Sequence, residues 1–324
     1  MRRREFIALV GGAAVALPRL VRAQRALPLM VIFNSGTPST QVKNLVAFRN
    51  GLKEAGLVEG QNVALEFVWA ENRFDGLEAL AAEVVARRPA VIVSNTLAAI
   101  RAKSSTTTIP IVFTTGSDPV RDGLVTSLNR PGGNVTGVVF ISGTLGSKRF
   151  ELLRQFVPQA GTIAMLVYPG IAETDAERAE VQAAAQAVGQ QIRIVEIRNA
   201  AEIEEAVAAA VTAGAGALLI GTGPFMFNNH VRIVGSVARH AIPAMYTTRE
   251  SVEAGGLMSY GASITDAFHQ AGRYAGRILK GEKPDDLPVI RSVKLEFLLN
   301  LKTAKRLGLQ FHPQLLATVD EVIE

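Results

Sequence analysis

From residue 29 onward, short apolar, β-branched runs alternate with amphipathic or alanine-rich stretches. No other feature narrows the fold as much. Parallel strands buried on both faces read as unbroken apolar runs, and each pair needs a helical crossover between its members. The implied fold class is α/β. One set of strands is expected at Leu29 to Phe33, Val63 to Trp69, Ala90 to Ser94, Ile111 to Thr114 and Val135 to Phe140, with helices near 40–55, 75–87 and 96–103. A second set is expected at Ile163 to Val167, Ile192 to Ile197, Ala217 to Ile220 and Ala244 to Tyr246, with helices near 145–156, 174–188, 201–212 and 228–240. At roughly 150 residues per domain, 324 residues make two domains. Gly56 and Gly189 each follow a helix, where the left-handed stop favours glycine.

The net charge of +5 at first suggests an anionic partner, but its location argues otherwise. Arg2, Arg3, Arg4, Arg19 and Arg22 against Glu5 place +4 of it in the first 23 residues. The rest of the chain is almost neutral and offers no footprint for nucleic acid. Those residues read as an address: a basic start, an apolar stretch from Phe6 to Leu17, and small residues around Arg22 in Val21-Arg22-Ala23. Arg3-Arg4-Glu5-Phe6-Ile7 is similar to a twin-arginine signal, with Arg2 where that pattern prefers Ser or Thr. Residues 1–23 are therefore expected to be an export signal cleaved near Ala23, leaving a periplasmic protein. Cysteine is absent, which excludes disulfides, thiolate catalysis and lipidation at cysteine.

Past residue 255 come a strand at Leu257 to Tyr260, a helix from Thr265 to Leu279, a strand from Val293 to Leu299, and a short helix capped by Asn300. With both sheets nearly complete by residue 246, these late elements must add to sheet edges and cross between domains. Several long strings occur in order: FRNGLKEAGLVEGQNV (48–63), TTTIPIVF (106–113), DPV (118–120), GLVTSLNRPGGNVTGV (123–138), RHAIPAMY (239–246), EAGGLMSYG (253–261), GRILKGEKPDDLPV (276–289) and LNLKTAKRLGL (299–309). On these the chain, from about residue 28 to its end, resembles the ABC-transporter solute-binding proteins that include tryptophan- and tyrosine-binding receptors. The resemblance implies a type I periplasmic binding fold, two Rossmann-like domains with parallel sheets joined by a three-crossing hinge. It places 27–141 plus 255–288 in the first domain and 142–254 plus 289–324 in the second. It also implies a small-molecule ligand in the cleft, an ABC permease of the inner membrane as partner, no cofactor and no catalysis. A monomer is expected, with a dimer as the alternative.

In open α/β sheets, ligands sit at the carboxyl ends of strands, where helix amino termini aim N–H groups at the cleft. The junctions are therefore the candidate site. In the first domain they offer Asn34, Ser35 and Thr37, then Asn95 and Thr96, then Thr115 and Asp118, with Ser142 near the crossing. Asn34 to Ser39 reads equally as a carboxylate-binding loop or a helix cap. Asp118 reads as an acceptor for an ammonium group, or as the turn former that Asp before Pro commonly is. In the second domain the candidates are Tyr168, Pro169, Phe225, Phe227, Tyr246, Arg249 and Tyr260. Aromatic rings there suit stacking on a planar ligand, and Arg249 suits a carboxylate clamp. The competing reading is that Phe225 and Phe227 plug the domain face.

Gly143-Thr144-Leu145-Gly146-Ser147-Lys148 has two residues between its glycines where a phosphate loop has four. There is no G-x-S-x-G elbow, and no two of His230, His240, His269 and His312 stand three or four apart. The expected function is a receptor for a small carboxylate-bearing ligand: an aromatic or branched amino acid, or an aromatic acid. The alternative is an exported enzyme on the same fold acting on a small organic acid. A repressor-type regulator would need a DNA-binding segment where the export signal stands.

Overall fold

The computed structural model describes residues 27–140 and 145–324; the export segment and Ser142 lie outside the described residues. Strands β1 (Leu29–Asn34), β2 (Ala64–Trp69), β3 (Val91–Asn95), β4 (Ile111–Thr115) and β5 (Val135–Phe140) come first, interleaved with α1 (Val42–Glu54), α2 (Leu77–Ala86) and α3 (Thr96–Ser105). Then follow α4 (Gly146–Phe156), β6 (Thr162–Val167), α5 (Ala172–Ala187), β7 (Gln191–Glu196), α6 (Ile203–Thr212), β8 (Ala217–Ile220), α7 (Pro224–Asn228), α8 (His230–Arg239), β9 (Ala244–Tyr246) and α9 (Arg249–Glu253). The chain ends with β10 (Met258–Ala262), α10 (Ile264–Leu279), β11 (Ile290–Ser292), β12 (Leu295–Asn300), α11 (Leu301–Arg306), α12 (Pro313–Leu316) and β13 (Glu321–Ile323).

Two sheets result, and each organises one lobe. Lobe 1 holds the six-stranded order β11-β5-β4-β3-β1-β2, and lobe 2 the seven-stranded order β13-β12-β10-β9-β8-β6-β7. All ladders are parallel except β10 with β12. Alternate residues of the central strands feed opposite cores. Met30 and Ile32 enter one core of lobe 1 and Val31 and Phe33 the other; Met165 and Leu166 are divided likewise in lobe 2. Burial on both faces explains why these strands read as unbroken apolar runs. Gly56 and Gly189 stop their helices with φ of 78° and 65°.

The late crossings fall at other residues than expected. β10 stands in lobe 2, pairing Met258 with Met245 and Ser259 with Tyr246, so the chain leaves that lobe after Ala262 and not at 255. β11 stands in lobe 1, pairing Ile290 with Val138, so the return follows Ser292 and not 288. The physical reason is edge completion: β10 offers β9 a parallel partner, and three residues of β11 close the open edge at β5. Helix α10, between these crossings, packs on α1 so closely that a Cβ on Gly51 would stand 2.0 Å from the His269 carbonyl oxygen. The helix expected near 228–240 forms as α8, and the short α7 before it was not expected.

Candidate functional site

The carboxyl ends of the two sheets face each other across a cavity lined by residues of both lobes. Lobe 1 supplies strand ends. Asn34 closes β1, and its Oδ1 accepts from the Gly36 N–H at 2.8 Å. Asn95 closes β3; its Oδ1 accepts from the Ser35 N–H at 3.1 Å, and its Nδ2 donates to Ser35 Oγ at 2.8 Å. Thr96, first residue of α3, hydrogen-bonds Thr115 hydroxyl to hydroxyl at 2.9 Å. Asn34, Asn95, Thr96, Thr114 and Gly116 line the cavity, and the positive end of the ten-residue α3 lies beside them.

Lobe 2 supplies the charge. Glu173 and Glu177 lie one turn apart on α5 and are both buried. Glu177 forms an ion pair with Arg149, both side chains wholly enclosed, and accepts from the Thr222 N–H at 2.6 Å. Burial pushes the Glu177 carboxyl above its ordinary range, and Arg149 opposes that shift. Arg149 also donates to the Tyr260 carbonyl at 3.3 Å. Glu173 accepts from the Thr222 hydroxyl at 3.1 Å and lines the cavity. Among the described lining residues it is the one acid, and none is Lys, Arg or His. Phe140, Phe227, Ile264 and Phe268 form an apolar wall, drawn from β5, α7 and α10. Among the described residues no group of His, Asp or Glu is placed to hold a metal ion.

Of the residues expected at the site, Asn34, Asn95, Thr96 and Phe227 line the cavity. Ser35 and Thr115 stand behind it and orient those that do. The others are elsewhere. Thr37 bonds Ser39 in the turn before α1. Asp118 is exposed and accepts from the N–H groups of Val120 and Arg121, which is turn formation and not ligand capture. Tyr168 stacks on Phe225 at 4.5 Å along an outer groove between the lobes, and Pro169 beside it lines neither that groove nor the cavity. Tyr246 is core, 1% exposed. Arg249 holds Glu296 at 3.1 Å and Glu321 at 2.6 Å, pinning α9 to the C-terminal strands in place of clamping a carboxylate. The Tyr260 ring packs edge-on to Phe297 in the core.

Sequence reasoning missed Glu173, Asn228, Phe140 and Phe268; Thr222, Thr247 and Thr248 fall in the junctions after β8 and β9 that it placed at the cleft, but it did not single them out. Glu173 had a usable signal, an acid in the first turn of the helix after the Tyr168 junction. Phe140 and Phe268 had none, since an aromatic lining a cleft reads the same as one in a core.

A family profile described as ABC transporter substrate binding protein matches residues 37–323. A tyrosine-binding protein of Clostridioides difficile is 27% identical over 266 residues, spanning 81% of this chain and 76% of the relative. Among solved structures, an ABC domain from Streptococcus pneumonia in complex with L-Trp aligns with TM-score 0.83 at 24% identity, covering 92% of this chain and 100% of that one. The ligand-free, open structure of a substrate binding protein from Clostridium difficile aligns with TM-score 0.64 at 23% identity, covering 92% and 99%. At such identities these structures establish the type I periplasmic binding fold.

Proposed function

The chain belongs to the ABC transporter substrate-binding protein family, a family of solute-binding proteins and not of enzymes, and from that premise we propose that it is a periplasmic receptor of an ABC importer that closes its lobes over an amino acid with an aromatic or branched side chain. The observation that carries this reading is the composition of the cavity. Glu173 lies on a lining that has no basic side chain among the described residues and that also carries Phe140, Phe227, Ile264 and Phe268. A buried carboxylate favours a ligand bearing a protonated amine and disfavours a plain anion. A carboxylate on the same ligand is then held by hydroxyls and backbone N–H groups at strand ends and at the start of α3, the ordinary anion-binding geometry of this fold class. This favours an amino acid over the deaminated aromatic acid. The relative named a tyrosine-binding protein and the neighbouring structure in complex with L-Trp support the same class. Export by residues 1–23 and delivery to an inner-membrane permease belong to the proposal, in which ligand contacts from both lobes shift the population toward the closed form.

Thermal-shift and calorimetric titration with L-tyrosine, L-tryptophan, L-phenylalanine and L-leucine, set against 3-phenylpropanoate and indole-3-propanoate, test it. An amino acid at 100 times its dissociation constant stabilises the protein by about 2.7 kcal/mol. The deaminated acids bind at least ~10-fold more weakly, and Glu173→Gln weakens the amino acids while sparing the acids. Equal or tighter binding of the deaminated acids refutes the amino-acid assignment, and stabilisation by sugars alone refutes the ligand class.

A further inference from the structure

Asn228, the last residue of α7, is 7% exposed and lines the cavity, yet neither Oδ1 nor Nδ2 of its amide has a hydrogen-bond partner within the protein. Across the cleft from it stands Gly36 of lobe 1. A Cβ built on Gly36 would fall 2.5 Å from Asn228 Oδ1, 3.0 Å from Cγ and 3.2 Å from Nδ2. Lobe 1 does not satisfy the amide there: neither of its polar atoms finds a partner, and the backbone groups of Gly36 already bond within lobe 1. Its N–H donates to Asn34 Oδ1 at 2.8 Å, and its carbonyl accepts from the Glu71 N–H at 3.1 Å. Closure therefore brings a primary amide against a surface that matches its shape and leaves its hydrogen bonds unmade. A buried, unmatched polar group costs much more than a made hydrogen bond gains.

We propose that Asn228 is the residue through which the ligand controls closure. A bound molecule supplies the donor and the acceptor that the closed lobes do not, and Gly36 keeps the space that lets the amide reach the cleft. The site thereby selects ligands presenting both a donor and an acceptor at one end, and the closed form is favoured only when such an end is in place. The inference rests on the receptor reading for its ligand, but its conformational half stands apart from ligand identity.

Because the chain has no cysteine, a single pair of labels reports the distance between lobes, at Glu78→Cys on α2 and Glu205→Cys on α6, both exposed. Three forms of the full chain are compared by electron-spin distance measurement, without ligand and with L-tyrosine or L-tryptophan: the parent, Gly36→Ala and Asn228→Leu. Gly36→Ala remains open in every case and binds at least ~10-fold more weakly, with its ligand-free melting temperature unchanged. Asn228→Leu, relieved of the unmatched amide, shows the short distance without ligand and gains little further shortening from either amino acid. Parent-like closure and affinity in Gly36→Ala overturn the proposal, as does an Asn228→Leu protein as open as the parent without ligand. If neither amino acid binds the parent, that amino-acid assignment fails, and the ligand-free distances still decide the role of Asn228.

Discussion

Tyr246 illustrates how a strand end misleads at the scale of one residue. It closes β9 beside the cleft junction, where an aromatic ring suits ligand stacking, and Thr247 and Thr248 directly after it do line the cavity. Its own ring turns to the sheet face instead, into the core of lobe 2 with Val234, Val237 and Ile242. Gly256 is where it is because a Cβ there would stand 2.6 Å from Tyr246 Cε2. The phenol oxygen is buried with no partner within the protein, and burial holds its pKa far above the usual value. Tyr246→Phe should therefore leave the melting temperature equal or raised, since an unmatched hydroxyl is removed. Tyr246→Ala should cost ~3–5 kcal/mol as a cavity substitution, with affinity per folded molecule kept in both. Denaturant unfolding checks the first quantity and calorimetry the second; a Tyr246→Phe protein that folds normally but loses ligand would return the residue to the site.

At the scale of elements, periodicity was a good guide to what forms and a poor one to where it docks. The apolar runs of β1, β3, β4, β6 and β8 were legible because both faces of a central parallel strand are buried. The lobe membership of β10 and β11 was not, because a short strand's apolar pattern says that it pairs and does not name its neighbour. Helix α7 was likewise hidden, since Pro224 to Phe227 read as part of the junction after β8. The α1–α10 contact gives a test of packing against propensity. By propensity alone Gly51→Ala in mid-helix gains ~1 kcal/mol. In this fold the added methyl meets the His269 carbonyl at 2.0 Å and the Arg273 nitrogen at 3.1 Å, all backbone that cannot turn aside. A lower melting temperature is expected, from overpacking worth ~1–3 kcal/mol or more. A higher one would mean that α1 and α10 are held less closely than described.

For the whole molecule, function depends on contacts that exist only when the lobes meet. Lys43 of α1 reaches Glu253 of α9 at 2.5 Å, the one ion pair between lobes among the described residues. Lys43 is 58% exposed, so the pair belongs to the class worth ~0.2–1 kcal/mol. Lys43→Met should accordingly weaken ligand binding by no more than ~5-fold and flatten its dependence on salt, with the ligand-free melting temperature little changed. An unaltered salt profile, measured by titration at low and high ionic strength, would remove this pair from the closure equilibrium.

The chain alone determined the α/β class, the two lobes and the strand-end location of the cleft, because each follows from burial periods and breakers within a few tens of residues. Its string resemblance added the family. What only the tertiary structure decided is which side chains meet there. Glu173 faces the cavity while Glu177, one turn on, is neutralised by Arg149; Arg249 turns outward to Glu296 and Glu321; and Asn228 comes to rest against Gly36. These outcomes depend on pairings between residues far apart in sequence, and no local pattern carries the direction in which a polar side chain at a strand end will point.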